Sequence, residues 1–272
     1  MHSDLKDLAL NLVRGAFMEL YLSPKPGLVD QYNSGSHPDL SLSRMEESLK
    51  IVSCYLFDLS RSIIGGGDFS DQVQLGTDAE RMMLKTLGTN CHKGYIFLSG
   101  LFLSARSQAA CGDERTLRYA VAHLACRFFD RTESWSSNGS RARSRFGAGG
   151  VKAEAMNGLP SLFGEALPAF RQEIASGGNR GSAAYAMLGR LMATVDDTTA
   201  LHRCGSEGLK TVRDDGRMLQ QLVAEREDFI SFLAERNEHY VKKNLTMGGV
   251  ADLLALAFAW LSHTGELETA QA

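Results

Sequence analysis

The sequence predicts an all-α fold, a compact single-domain bundle of helices. Three observations carry that expectation. Apolar residues recur at steps of three and four along nearly the whole chain, strand-like alternation with β-branched clusters is almost absent, and only five prolines interrupt 272 residues. The length suffices to bury a substantial core and no linker or shift of composition divides it, so residues 1–272 are expected to form one domain.

Each element follows from the same pattern. Leu5, Leu8, Leu12, Gly15, Ala16 and Leu20 define a helix over residues 4–21, and "SPKPG" ends it, because each proline removes an amide donor and disfavours helix in the residue before it. Helical spacing continues over 42–63, 76–86, 94–109, 114–130, 160–175, 181–194, 217–240 and 249–262. Loops are expected at 22–40, 87–93, 131–158, 195–206 and 244–250, rich in Gly, Asn, Asp, Lys and Arg. Such loops on a rigid frame are where binding groups concentrate. Arg141, Arg143 and Arg145 in the third loop suit either an anionic ligand or a solvated surface.

Composition narrows the class. With 44% hydrophobic and 22% charged residues and a net charge of −3, the chain reads as globular, with no general affinity for nucleic acid or an anionic membrane. The first residues carry charges inside an apolar pattern and do not read as a signal peptide, and no run reaches the roughly 18 apolar residues of a membrane span. The expected location is cytoplasmic. Five cysteines without paired spacing argue for reduced thiols rather than a disulfide framework or zinc knuckle. The sequence does not fix oligomeric state and is compatible with a homodimer.

The loops carry the chemistry. "LSPKPGLVDQYNSGSHPDL" displays Lys25, Asp30, Asn33, His37 and Asp39 on a connector too long to be common unless functional. "NCHKG" offers Asn90, Cys91, His92, Lys93 and Gly94 at a glycine-to-helix junction, where free amides suit an anion. A Cys91–His92 nucleophile pair is the competing idea, but adjacent side chains point apart, and a buried structural thiol is the better reading. Asp78 and Glu80 on the preceding helix are explained by helix-dipole complementarity or by ligand contact. Lys152 and Glu154 sit among glycines and alanines; Asp196 or Asp197 reads as an N-cap, which leaves His202 and Arg203 unexplained. Gly248 and Gly249 open an apolar helix with Asp252 in its first turn. Bases, carboxylates and glycine-to-helix junctions together suit a Mg²⁺-bound polyphosphate such as ATP, although no Walker, kinase or Rossmann motif is present.

These motifs resemble one family, the triphosphoribosyl-dephospho-CoA synthases that make the prosthetic-group precursor of citrate lyase and malonate decarboxylase. "SPKPGLVDQYNSGSHPDL", "NCHKGYIFLSGL", "DDTTALHRCGSEGL" and "GGVADLLA" match the family's motifs in order and spacing, over residues 10–262. The resemblance implies an all-α enzyme that transfers the triphosphoribosyl group of ATP to the ribose 2′-hydroxyl of 3′-dephospho-CoA and releases adenine. It places Lys25, Asn33, Asn90, Lys93, Gly94, Lys152, Arg203, Gly248 and Gly249 on the nucleotide, Asp78, Glu80 and Asp252 on Mg²⁺, and Asp30, Glu154, His37 and His92 at the chemistry. Asp30 or Glu154 would accept the hydroxyl proton or stabilise oxocarbenium charge, with His37 and His92 as proton donors or hydrogen-bonding groups.

The chain departs from the family pattern at Val73, Gln74 and Leu75 before Gly76, where an arginine is usual; at Lys152–Ala153, where the family has Arg-Gly; and at Thr246–Met247. Lysine does not reproduce arginine's planar fork, so recognition of the acceptor is expected to differ there. Two alternatives follow: a relative that transfers from or cleaves ATP with another hydroxyl acceptor, and a non-catalytic nucleotide- or CoA-binding protein.

Overall fold

The computed structural model describes residues 2–109, 112–131 and 149–269. The elements are α1 (His2–Tyr21), α2 (Leu42–Ile64), α3 (Phe69–Leu87), α4 (Lys93–Gln108), α5 (Glu114–Arg131), α6 (Gly150–Met156), a π-helical turn (Ser161–Ala166) running into α7 (Leu167–Ala175), α8 (Arg180–Thr194), α9 (Thr198–Glu225), α10 (Phe229–Lys243), α11 (Gly248–His263) and α12 (Glu266–Thr269). No strand occurs among the described residues, as the periodicity predicts.

The architecture follows from α11. Its residues are apolar on nearly every side, and a helix of that kind has to be enclosed. Leu253 to Ser262 are all buried, with α1, α4, α8, α9 and α12 packed around them. Along α1, Leu5, Leu8, Leu12, Ala16 and Leu20 form the buried stripe, and Gly15 sets how closely the two helices meet. A Cβ at Gly15 would lie 2.3 Å from the carbonyl oxygen of Ala255 and 2.6 Å from the amide nitrogen of Ala259. The α8–α9 pair is similarly close, since a Cβ at Gly216 would lie 2.6 Å from the amide nitrogen of Ala193. A helix pair from α2 and α3 closes the other side against α1 and α4.

Four boundaries differ from expectation, each for a local reason. Helix α3 begins at Phe69 rather than 76, because Asp68 and Asp71 form a reciprocal capping box after three glycines. Residues 198–206, expected as loop, are the first turns of α9, capped by Asp197 and separated from the rest by a kink at Gly205 (φ 65°, ψ −161°). The helix expected over 217–240 is two: Arg226 is left-handed (φ 61°) and donates its N–H back to Leu222 and Val223, and Asp228 starts α10 by accepting from the amide of Ser231. Short helix α6 lies inside the expected 131–158 loop. Arg141, Arg143 and Arg145 lie outside the described residues.

Gly15→Ala is expected to lower stability by about 1–3 kcal/mol by overpacking, even though alanine is the better helix former. Chemical denaturation compared with the native chain checks the sign.

Candidate functional site

The loop over 22–40 is held by its own polar residues. Lys25 is fully buried, and its ammonium donates to the carbonyl and to Oε1 of Glu19 on α1, the latter at 2.5 Å. Asp30, 2% exposed, accepts from the hydroxyl of Ser23 at 2.6 Å and from the amides of Tyr32 and Asn33 at 2.8 and 3.1 Å. Asn33 adds a long contact to Asp30 at 3.4 Å, while its Oδ1 accepts from the amide of Gly35 and the side chain of Asn237. Gly27 is left-handed (φ 71°), and a Cβ there would lie 2.3 Å from the carbonyl oxygen of Leu245. The loop is thereby clamped to the α10–α11 junction.

His37 stands where the loop crosses that junction. Its Nε2 is 2.9 Å from the hydroxyl of Thr246 and its Nδ1 is 3.1 Å from the guanidinium of Arg203. Arginine can only donate, so Nδ1 accepts and Nε2 carries the hydrogen. Burial and the charge of Arg203 lower the His37 pKa to about 4. Arg203 also donates to the carbonyl of Ser36 at 2.6 Å and to Oδ1 of Asn244 at 2.8 Å.

At the α4 junction, Glu80 reaches over from α3 to pair with Lys93 at 3.1 Å and accepts from Asn90 at 3.1 Å. His92 is buried, with Nδ1 2.6 Å from the hydroxyl of Ser48. Ser48 has one hydrogen and gives it to the carbonyl of Met45 at 2.7 Å, so His92 carries its hydrogen on Nδ1 and leaves Nε2 as an acceptor. Burial, then the charge of Lys25, lowers its pKa to about 4. Cys91 lies 3.7 Å from that same Nδ1, and burial raises its thiol. A poor thiolate beside a nitrogen already engaged with Ser48 is not an activated nucleophile.

Asp197 ties two helix starts together. It is fully buried, and its Oδ1 accepts from the amides of Thr199 and Ala200 at 2.8 and 2.9 Å, while Oδ2 accepts from Val250 at 2.9 Å. The amide of Gly249 also bonds to it; burial nonetheless outweighs these amides and raises its pKa. On α11, Asp252 abuts Gly94, where a Cβ would lie 2.0 Å from its Oδ2. Asp252 makes no hydrogen bond to any described residue, and burial, then Glu19, then Asp197 push its pKa well up. A Cβ at Gly248 would lie 3.1 Å from the hydroxyl of Thr199, closing the α9–α11 contact.

These groups surround two spaces that share the His37–Arg203 contact. Behind it is a cavity of about 70 Å³ bordered by Glu19, His37, Cys91, His92, Gly248 and Asp252. In front is a cleft of about 550 Å³ bordered by Asp39, Thr198, Thr199, His202, Arg203 and Asn244. Glu154 lies on α6, which touches α9 through Gly150 and Thr198, and borders neither space; it accepts from the hydroxyl and amide of Ser161 at 2.5 and 3.2 Å, and burial raises its pKa.

Other candidates are placed differently. Lys152 lies 4.7 Å from the centre of the Phe129 ring. Asp78 is on the exposed face of α3, 3.0 Å from Arg81 and 2.9 Å from Gln74. Asp78, Glu80 and Asp252 do not converge, and among the described residues no three acidic, His or Cys side chains form a metal-binding group. Glu19 and Ser48 were not singled out by the sequence. For Glu19 a signal exists: it is an acid on the buried stripe of α1, among Leu12, Ala16 and Leu20.

Both histidines are expected to titrate near pH 4 rather than 6.5, which imidazole NMR resonances followed against pH will read. A lowered folded-state pKa makes the His92 contribution complete above pH 6.5 and lost as the pH falls through 4. His92→Gln should therefore narrow the acid-side loss of stability over that window.

The family described as ATP:dephospho-CoA triphosphoribosyl transferase (CitG) matches residues 5–269. A probable 2-(5''-triphosphoribosyl)-3'-dephosphocoenzyme-A synthase of Pseudomonas putida is 32% identical over 96% of this chain and 95% of its own. A protein named as the same synthase in Pectobacterium atrosepticum is 31% identical over 95% and 89% of the two chains, and a probable one of Azotobacter vinelandii is 33% identical over 90% and 88%. No solved structure gives a significant match. The chain therefore belongs to the ATP:dephospho-CoA triphosphoribosyl transferase family.

Proposed function

We propose that this chain transfers the triphosphoribosyl group of ATP to the ribose 2′-hydroxyl of 3′-dephospho-CoA and releases adenine. The observation that supports it beyond family membership is the gathering of four separate motifs around the His37–Arg203 contact. The cleft has the volume of a small-molecule site, commonly about 300–1,000 Å³.

In the reaction the ribose C1′–N9 bond of ATP breaks and a C1′–O bond to the acceptor forms; the hydroxyl proton leaves to a base, and adenine departs with a proton. Arg203 and the adjoining start of α9 suit the triphosphate, with His37 fixing the guanidinium in place. Glu19 and Asp252 border the cavity, and burial raises both, so there they offer confined oxygen acceptors to the ribose. Glu154, raised by burial and held by the hydroxyl and amide of Ser161, is the candidate proton acceptor, while Asp30 is held by Ser23 and the loop amides. Lys93 stands beside the site through Gly94 and Asp252.

For Mg²⁺, the fit rests on Asp252, a carboxylate without a hydrogen bond at the cavity, together with Glu19 at the same cavity. Oxygen donors in this number suit a Mg²⁺ carried chiefly by a triphosphate, whose charge it would neutralise. Asp78, paired on the exposed face of α3, has no part in this assignment, and Glu80 is assigned to Lys93 instead.

Incubation with Mg²⁺ and ATP should release adenine only when dephospho-CoA is present. Adenine regardless of acceptor would favour transfer to another hydroxyl, ATP binding without adenine would favour a binding protein, and ADP or AMP would overturn glycosyl transfer. Arg203→Ala should lower kcat/KM for ATP by about 10- to 100-fold while helix content by circular dichroism is retained.

A further inference from the structure

The ring of His92 has one nitrogen that the fold does not use. His92 stands at the N-cap of α4, yet its side chain makes no capping bond, so the helix start does not explain an imidazole there. Ser48 of α2 gives its only hydrogen to the carbonyl of Met45 at 2.7 Å and accepts from Nδ1 of His92 at 2.6 Å. That bond holds the ring in one tautomer, with the hydrogen on Nδ1 and a bare lone pair on Nε2. No described residue donates to Nε2, and it is not sealed off by protein atoms. The ring borders the cavity of about 70 Å³ behind the His37–Arg203 contact, together with Glu19 and Asp252.

The stronger donors at this cavity are already spent. His37 gives its hydrogen to Thr246 at 2.9 Å, Tyr95 gives its own to the carbonyl of Leu12 at 2.5 Å, and the ammonium of Lys25 is turned to Glu19. A ligand group that enters therefore has to bring a donor for Nε2, since a further acceptor would meet lone pairs. Phosphate oxygens do not meet that demand. Hydroxyls do, and ATP and 3′-dephospho-CoA both carry a ribose 2′,3′-diol. The adenine amine is the other donor they share, but the ribose is the part assigned to Glu19 and Asp252 at the same cavity.

We propose that His92 is a specificity-determining residue that accepts a hydrogen bond from a substrate ribose hydroxyl at Nε2, with Ser48 as the positioning residue that keeps this nitrogen bare. The site then selects ribose over deoxyribose, since a deoxy substrate leaves the lone pair unmatched. The assignment rests on the substrates given under Proposed function.

The first test needs no substitution. The full chain is titrated calorimetrically with Mg²⁺-ATP and its 2′- and 3′-deoxy forms, and with dephospho-CoA and its 2′- and 3′-deoxy forms. One deoxy probe should bind about five- to tenfold more weakly than its parent. Loss in the ATP set places the donor's ribose at His92, and loss in the dephospho-CoA set places the acceptor's; either supports the proposal. His92→Asn, which keeps a donor toward Ser48 and removes the acceptor, should weaken the parent by the same factor and leave the deoxy probe unchanged. Ser48→Ala should shrink the discrimination and shift the ¹⁵N resonances of His92 away from the Nδ1–H pattern, and Ser48→Thr should restore both. Equal Kd values for the parents and every deoxy probe overturn the proposal, as does discrimination undiminished in a folded His92→Asn chain or a native ¹⁵N pattern with the hydrogen on Nε2. Weaker binding of inosine triphosphate that disappears in His92→Asn overturns it too, in favour of the amine. A native chain that selects ribose through His92 but releases no adenine keeps this assignment and loses the activity, whereas acceptor-dependent adenine release without such selection does the reverse.

Discussion

The site depends on one buried carboxylate. Asp197 accepts amides from the start of α9 with one oxygen and from the start of α11 with the other. A carboxylate enclosed in protein is costly unless its lone pairs are used, and here helix ends supply donors that would otherwise be orphaned. Charge-assisted bonds of this kind are roughly twice as strong as neutral ones. Their effect is geometric: the turn bearing His202 and Arg203 is fixed against the turn bearing Gly248 and Asp252. The open cleft and the closed cavity are two sides of that joint.

Around it, charge is arranged by enclosure more than by exposed pairs. Lys25 and Glu19 neutralise one another inside the bundle, yet each adds to a neighbour's burial: burial, then the ammonium, lowers His92, and burial, then the carboxylate, raises Asp252. In water these influences would be screened; in a dry interior they persist. His37 is uncharged for the same kind of reason, with Arg203 beside it, and so offers one acceptor and one donor. The candidate site thus presents fixed dipoles and a few confined charges.

The helical frame was legible because burial writes itself as spacing. The leucines of α1 and the continuous apolar run of α11 leave no other solution, and the loop over 22–40 was visible through its prolines and glycines. Boundaries set by one hydrogen bond were harder. Asp197 read only as a cap, since its second partner at Val250 is 53 residues away, and the Asp68–Asp71 box was hidden behind three glycines. Glu19 lies within an apolar stripe, and its pairing with Lys25 depends on a loop folding back over the helix. Lys93, Arg203, Glu80 and His37 were all found by type, whereas the pairings Lys93–Glu80 and Arg203–His37 required the third dimension.

Gly205 has an implication for how this surface could change. Its backbone values (φ 65°, ψ −161°) belong to a region that essentially only glycine enters, and no atom lies within 4 Å of where its Cβ would be. The constraint is one of direction, not of room. Upstream, the turn carrying Arg203 takes its orientation from Asp197 and Asn244; downstream, the helix takes its own from Gly189 and Gly216. The two segments of α9 joined at Gly205 therefore take their directions separately, one from the turn that holds Arg203 and the other from the α8 contact.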